Sequence, residues 1–198
     1  MYAMESLSHC TRCGLATMRT QVVVGRGAET ARVMFTGEAP GKAEDRTGMG
    51  FQGSAGKIFD DVLSYLGLTR SEIWLNNAVR CRPTDTGRKN RPPRLEEIEA
   101  CRPWMQDELK RIQPQIIVTL GRMAFLALTG ETAFATYRGS LYTKGEPGMP
   151  RIFPLAHPAY LIYRRSLMPA YREDLDRLAE VLATMDVRCT PVVPERFR

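Results

Sequence analysis

Histidine and tryptophan are scarce in this chain, with two of each among 198 residues. Long apolar runs are missing as well. No stretch approaches the roughly 20 residues that span a bilayer, and the first residues lack the basic-then-apolar layout of a secretory signal. A cytoplasmic protein with no membrane association is therefore expected. Internal repeats, low-complexity tracts and a clear linker are also absent, so residues 1–198 are read as one domain, long enough to bury a substantial core. No Gly-Lys-Ser/Thr closes the glycine-rich stretch between Gly37 and Gly56, which excludes a Walker phosphate loop. The match Gly48-x-Gly50-x-x-Gly53 has no strand immediately before it, so a dinucleotide site is set aside too.

What is abundant is positive charge. The chain carries a formal net charge of +6, which favours an anionic partner. The charge is also locally crowded. Arg80, Arg82, Arg88, Lys89, Arg91 and Arg94 fall in one segment, and Arg164-Arg165 in another. Either run could be a solvated face or a track for a phosphate backbone.

The five cysteines are unevenly placed. Cys10 and Cys13 form C-x-x-C, Cys81 and Cys101 flank the basic segment, and Cys189 lies in a proline-containing tail as the spare. In a cytoplasmic protein four such thiols point to a metal centre before disulfides. Zinc and an iron–sulfur cluster both suit four thiolates. A redox C-x-x-C is disfavoured because no strand leads into Cys10.

Strand-like runs recur at wide spacing, at Arg32–Gly37, Ile73–Val79, Gln115–Gly121 and Arg151–Ala156. Between them lie segments of helical period: Ala55–Leu66 ending at Gly67, Leu95–Ile112 stopped by Pro114, Arg122–Leu128 and Arg172–Met185. This alternation predicts an α/β domain, a parallel sheet with helices on both faces. Residues 1–28 are read as a cysteine-bearing arm and residues 190–198 as a flexible tail.

In such sheets ligands bind outside the carboxyl ends of the strands. Gly37-Glu38-Ala39-Pro40-Gly41 follows the first strand, with Glu44 and Phe51 behind it; Asn77 ends the second; His157 follows the fourth. Glycine lets backbone approach a ligand, carboxylates can hold a water or a cationic transition state, and Phe51 offers a stacking face. An asparagine amide carries one donor group and one acceptor, suited to a base edge. Each residue alone has an ordinary structural reading as a cap, a turn or a satisfied histidine. Together they converge on one crevice.

These motifs, with Cys81-Arg82-Pro83, His157-Pro158-Ala159 and Cys101-Arg102-Pro103-Trp104, resemble those of the uracil-DNA glycosylase superfamily, and the four cysteines resemble its iron–sulfur branch, family 4. The resemblance runs from about Ser8 to the terminal helix. It implies a [4Fe-4S] cluster of structural role on Cys10, Cys13, Cys81 and Cys101, and uracil-containing DNA as substrate for a monomeric enzyme of base-excision repair. Phe51 would stack on a flipped uracil, with Gly37 and Ala39 beside it. Asn77 would read N3–H and O4, and His157 would donate to O2. Glu38 would position water, with Glu44 as a supporting acid. Arg82, Arg88, Lys89, Arg91, Arg164 and Arg165 would follow the phosphates, and Leu161, Ile162 or Tyr163 would wedge into the vacated stack.

Two departures from the family pattern stand out. Gly50 replaces the proline often found before the stacking Phe, and the segment between Cys81 and Cys101 is longer than usual. A long loop there also marks a related branch trapped covalently through a histidine, but Thr84–Pro93 contains no histidine. Simple turnover is therefore expected. The other readings are a same-fold glycosylase for hypoxanthine or xanthine, a uracil-DNA-trapping protein, and a non-catalytic iron–sulfur DNA-binding module.

Overall fold

The structure is a computed structural model that describes residues 6–144, 148–187 and 192–197. Its centre is a sheet of β1 (Arg26–Gly27), β2 (Val33–Gly37), β3 (Trp74–Asn77), β4 (Ile116–Leu120) and β5 (Arg151–Leu155). The strand order is β1-β3-β2-β4-β5. The last four strands are mutually parallel, and β1 pairs antiparallel with β3 at the edge. Every residue of β2, β3 and β4 is buried. Burial on both faces explains why β2 and β4 read as largely apolar runs without alternation.

Alternate side chains leave the sheet on opposite faces. Phe35 and Val118 join one core with Phe59 and Leu63 of α2 (Ser54–Tyr65) and Leu175 and Leu178 of α7 (Met168–Thr184). On the other face Met34 and Ile117 pack with Ile112 of α3 (Leu95–Ile112). Ile98 of α3 and Met123 of α4 (Arg122–Thr129) form a neighbouring cluster with Leu15 and Val79. The expected helix-on-both-faces architecture is present. The first long helix and the helix that opens at Arg122 lie within one residue of their expected limits, while α7 begins at Met168, four residues before Arg172, with Pro169 in its first turn where a missing N–H costs nothing.

Two boundary expectations are corrected. The arm does not remain separate through residue 28, because Arg26 and Gly27 register against Leu75 and Trp74 as an edge strand. Nor is the described part of the C-terminal segment free. Phe197 is fully buried against Tyr65 and Tyr171, Val192 N–H donates to the Ser64 carbonyl at 3.1 Å, and Arg196 pairs with Asp61 at 2.6 Å. Cys189 lies outside the described residues. Among the described residues no helix is long and apolar enough to cross a membrane.

The order β3-β2-β4 makes β2 the point where the chain reverses its direction of travel across the sheet. Parallel sheets open their ligand crevice at such a point, beyond the carboxyl ends of the strands.

Candidate active site

A cavity of about 330 Å³ occupies that crevice, lined among others by Glu38, Phe51, Asn77 and His157. Glu38 leaves the end of β2, Asn77 is the last residue of β3, and His157 stands two residues beyond β5. Gly37 keeps the floor open, because a Cβ there would collide with the Asn77 amide oxygen and the Phe51 ring. Ala39 also lines the wall. The Phe51 and His157 rings lie nearly parallel, 18° between planes with centroids 6.3 Å apart.

Phe51 is held in a left-handed backbone conformation, φ 56°, uncommon for a bulky residue. Its surroundings over-determine that shape. Arg70 donates from Nη2 to the Phe51 carbonyl at 2.8 Å and from Nη1 to the Gly50 carbonyl at 3.3 Å. Glu44 Oε1 accepts from the backbone N–H of Gln52 at 2.9 Å and of Gly53 at 3.1 Å. A Cβ at Gly56 would strike the Phe51 carbonyl, so only glycine fits there. Glu44 lines the cavity, yet one of its oxygens is already engaged by two amides. Its visible task is to hold the Phe51 loop.

The electrostatics follow from burial. His157 Nδ1 accepts the Ala159 backbone N–H at 3.1 Å, which leaves Nε2 to carry the proton of a neutral ring. Desolvation pushes the His157 pKa down to about 4, only partly opposed by the Glu44 charge. Burial raises the Glu38 carboxyl above its ordinary value, against a smaller lowering by Arg122. A neutral donor and a poorly solvated carboxylate thus share one cavity.

Away from this crevice, Cys10, Cys13, Cys81 and Cys101 line a second, small cavity between the arm, the loop after β3 and α3. All four are free thiols. Burial raises Cys13, Cys81 (to about 11) and Cys101 when no metal is bound. Among the described residues no carboxylate lines the cavity, whereas Arg12, Arg19 and Arg80 do. Among the described residues, no group of three or more His, Cys, Asp or Glu side chains is arranged to hold a metal ion.

Comparison with known proteins agrees with this geometry. The family model of the uracil DNA glycosylase superfamily matches residues 24–183. The chain belongs to that superfamily. A type-4 uracil-DNA glycosylase of Sulfurisphaera tokodaii is 36% identical over 187 residues, covering 91% of this chain and 83% of the relative. The type-4 enzyme of Archaeoglobus fulgidus is 34% identical over 183 residues, covering 89% and 90%. A type-5 uracil-DNA glycosylase of Pyrobaculum aerophilum is 32% identical over 184 residues, covering 82% and 75%.

For a superfamily member, the basic residues sort in a way their sequence run does not reveal. Arg82 is buried and turned inward, donating to Asn90 Oδ1 at 2.6 Å and to the Gly87 carbonyl at 3.1 Å. Its guanidinium is engaged in shaping the loop rather than offered to solvent. Arg91 lines the cavity but makes a two-pronged pair with Glu97 and a further one with Asp85 at 2.8 Å. Arg88, Lys89, Arg164 and Arg165 are exposed. In the apolar trio Leu161 is buried in the core, which removes it as a wedge, while Ile162 and Tyr163 face solvent, Tyr163 at 84% exposure.

Arg70 and Arg122, which act on Phe51 and Glu38 from outside the lining, are residues that the sequence reading missed, and so is the place of Asn90 in the cavity wall. Arg122 immediately follows the strand ending at Leu120-Gly121, and that position was the available signal. Asn90 lines the cavity with its amide oxygen fixed by Arg82. Arg70 carries no signal in its neighbourhood.

Proposed function

We propose that this chain is a monofunctional uracil-DNA glycosylase, hydrolysing the N-glycosidic bond of uracil in DNA and leaving an abasic site for repair. The observation that carries the reading is the convergence of Glu38, Phe51, Asn77 and His157 on one cavity at the switch point of the sheet.

A base inside a duplex is out of reach, so the nucleotide is flipped into the cavity at a cost of a few kcal/mol. Phe51, fixed by Arg70 and Glu44, stacks on the base. Asn77 accepts from N3–H and donates to O4. Cytosine presents the reverse polarity and would leave buried polar groups unpaired, the strongest form of rejection a pocket has. His157, neutral and donating from Nε2, stabilises the negative charge that builds on O2 as the bond breaks. Glu38 orients the attacking water and faces the developing positive charge of the sugar. The motifs offer no lysine for a Schiff base and Thr84–Pro93 no histidine nucleophile, so water is the acceptor.

Glu44 also bears on thymine. Its Oε2 occupies the space a side chain at Gly41 would need, where an aromatic residue would otherwise block the C5 methyl. Arg88, Lys89, Arg164 and Arg165 offer charge to the phosphates, and Ile162 and Tyr163 the wedge. The enzyme acts as a monomer in the cytoplasm.

The cysteine cavity suits a [4Fe-4S] cluster: four soft sulfur donors, no competing carboxylate among the described residues, and cations on the wall that complement an anionic group. Cys10, Cys13, Cys81 and Cys101 would hold it, and when bound it supplies a cross-link between arm and body rather than reaction chemistry.

The test is uracil excision from a labelled oligonucleotide by wild type and His157→Ala, half of each sample boiled in SDS. His157-dependent, alkali-labile product without an SDS-stable adduct is expected. Tight DNA binding with no excision would sink the enzyme reading, and an SDS-resistant adduct would replace turnover with trapping. Faster release of hypoxanthine or xanthine than of uracil would reassign the substrate.

A further inference from the structure

One contact in the cysteine cavity plays no part in excision. Arg19 donates from Nη1 to the Cys10 carbonyl at 2.6 Å and to the Cys81 sulfur at 3.5 Å, and from Nη2 to the Ser8 carbonyl at 3.3 Å. Ser8 and Cys10 belong to the N-terminal arm, whereas Cys81 lies in the loop after β3. A single guanidinium therefore joins the two halves of the cysteine set across 62 residues of sequence.

The side chains of the other cations of the cavity have different partners. Arg12 sits over the Trp104 ring, 5.2 Å from its centroid. Arg80 is fully buried and pairs with Glu108 at 3.0 Å. Arg19 spends its hydrogen bonds on carbonyls and a sulfur rather than on a carboxylate. If Cys81 held the group as a thiolate, the N–H to sulfur bond would be charge-assisted and therefore stronger. The planar fork of arginine suits this triple engagement, which a lysine could not reproduce.

We propose that Arg19 is the latch of the cysteine site, a positioning residue that closes the arm over the metal group and slows its escape. The inference rests on the reading that the four cysteines hold an iron–sulfur cluster. It adds that retention depends on a side chain that ligates nothing. Loss of the latch frees the Cys10 end of the arm, so a ligand can dissociate and a competing chelator can enter.

The experiment uses anaerobically purified holoprotein, an excess of a ferrous-iron chelator, and the rate at which iron is released and visible absorbance decays. Arg19→Gln should release iron about tenfold faster than wild type, in line with the effect of losing an outer-shell partner of a metal ligand. Arg19→Lys should fall between them. Arg12→Gln, which lines the same cavity but donates to no cysteine, should stay within about twofold of wild type, as a partly exposed charge does little. Equal rates in wild type and Arg19→Gln overturn the latch. So does equally fast release from Arg12→Gln, which would assign the effect to cavity charge in general. If Arg19→Gln gives no folded holoprotein, judged by circular dichroism, Arg19→Lys carries the test and a wild-type rate overturns the proposal. A wild-type protein that neither carries iron nor takes it up on reconstitution is a separate result, which removes the cluster reading itself.

Discussion

Arg70 and Phe51 meet through the backbone: Nη2 of Arg70 donates to the Phe51 carbonyl at 2.8 Å while Phe51 sits at φ 56°. A non-glycine residue in that region stores about 1–3 kcal/mol, and it persists only where its neighbours over-determine it. Arg70 is one such neighbour, and it touches nothing else in the cavity. Arg70→Ala is therefore expected to lower kcat/KM for uracil excision about 10–100-fold, the rate equivalent of that strain. The urea midpoint should fall as well, since Arg70 also donates to the Gly50 and Gly56 carbonyls and sits over the buried Phe59 ring. A variant with wild-type kcat/KM would show that the Phe51 loop holds its shape unaided.

His157 ties stability to pH. An imidazole in the unfolded chain titrates near 6.5, but in the fold burial moves His157 to about 4. Between these values the unfolded state binds more protons than the folded one. The stabilisation is therefore whole above 6.5 and drains away as pH falls towards 4, at most about 3 kcal/mol over that span. Urea midpoints should show wild type losing more stability than His157→Gln between about pH 7.5 and pH 4.5. Equal losses would mean that His157 is well solvated.

The placement of Glu38, Asn77 and His157 at one end of the sheet was legible because each ends or follows a run that could be recognised. Strands buried on both faces leave apolar stretches such as Ile116–Leu120, and the residues after such stretches face the crevice. What stayed hidden depends on contacts without local pattern. Arg70 lies in a turn with no motif and reaches back 19 residues to the Phe51 carbonyl. Phe197 is anchored with the help of Arg196, whose partner Asp61 lies 135 residues away. The two-residue strand Arg26–Gly27 is too short to show any period. Arg82 and Arg88 look alike in sequence, and only the path of the loop decides which one turns inward.

Glu38 should trade stability for function. Its carboxyl is raised above the ordinary value, chiefly by burial. Above the unfolded value of 4.5 the unfolded chain ionises first while the buried carboxyl keeps its proton, so stability falls as pH rises from there through the folded pKa, beyond which the fold carries a poorly solvated charge. Glu38→Gln removes that charge. Its thermal midpoint should lie above wild type at neutral pH and converge with it below about pH 4, where both side chains are neutral. Excision should drop at least about a hundredfold, the usual contribution of a positioned base. A variant that is both inactive and less stable at neutral pH would show that Glu38 is held by contacts rather than strained by burial.

Arg164 and Arg82 offer the sharpest contrast on the DNA side. Arg164 is exposed beside the cavity rim at Tyr160, whereas Arg82 is buried and bonded to Asn90 and Gly87. A phosphate contact releases a counterion, so losing one flattens the plot of log affinity against log salt by about 0.9 on duplex and 0.7 on single strands. Arg164→Ala should show that change with the preference for uracil unaltered, because phosphates carry no base information. Arg82→Ala should instead lower the unfolding midpoint, since it strips partners from a buried loop. Its salt slope should match wild type. Binding isotherms at several salt concentrations decide the matter: an unchanged slope for Arg164→Ala removes it from the phosphate track, and a flattened slope for Arg82→Ala would mean that the loop opens and turns this arginine outward on DNA.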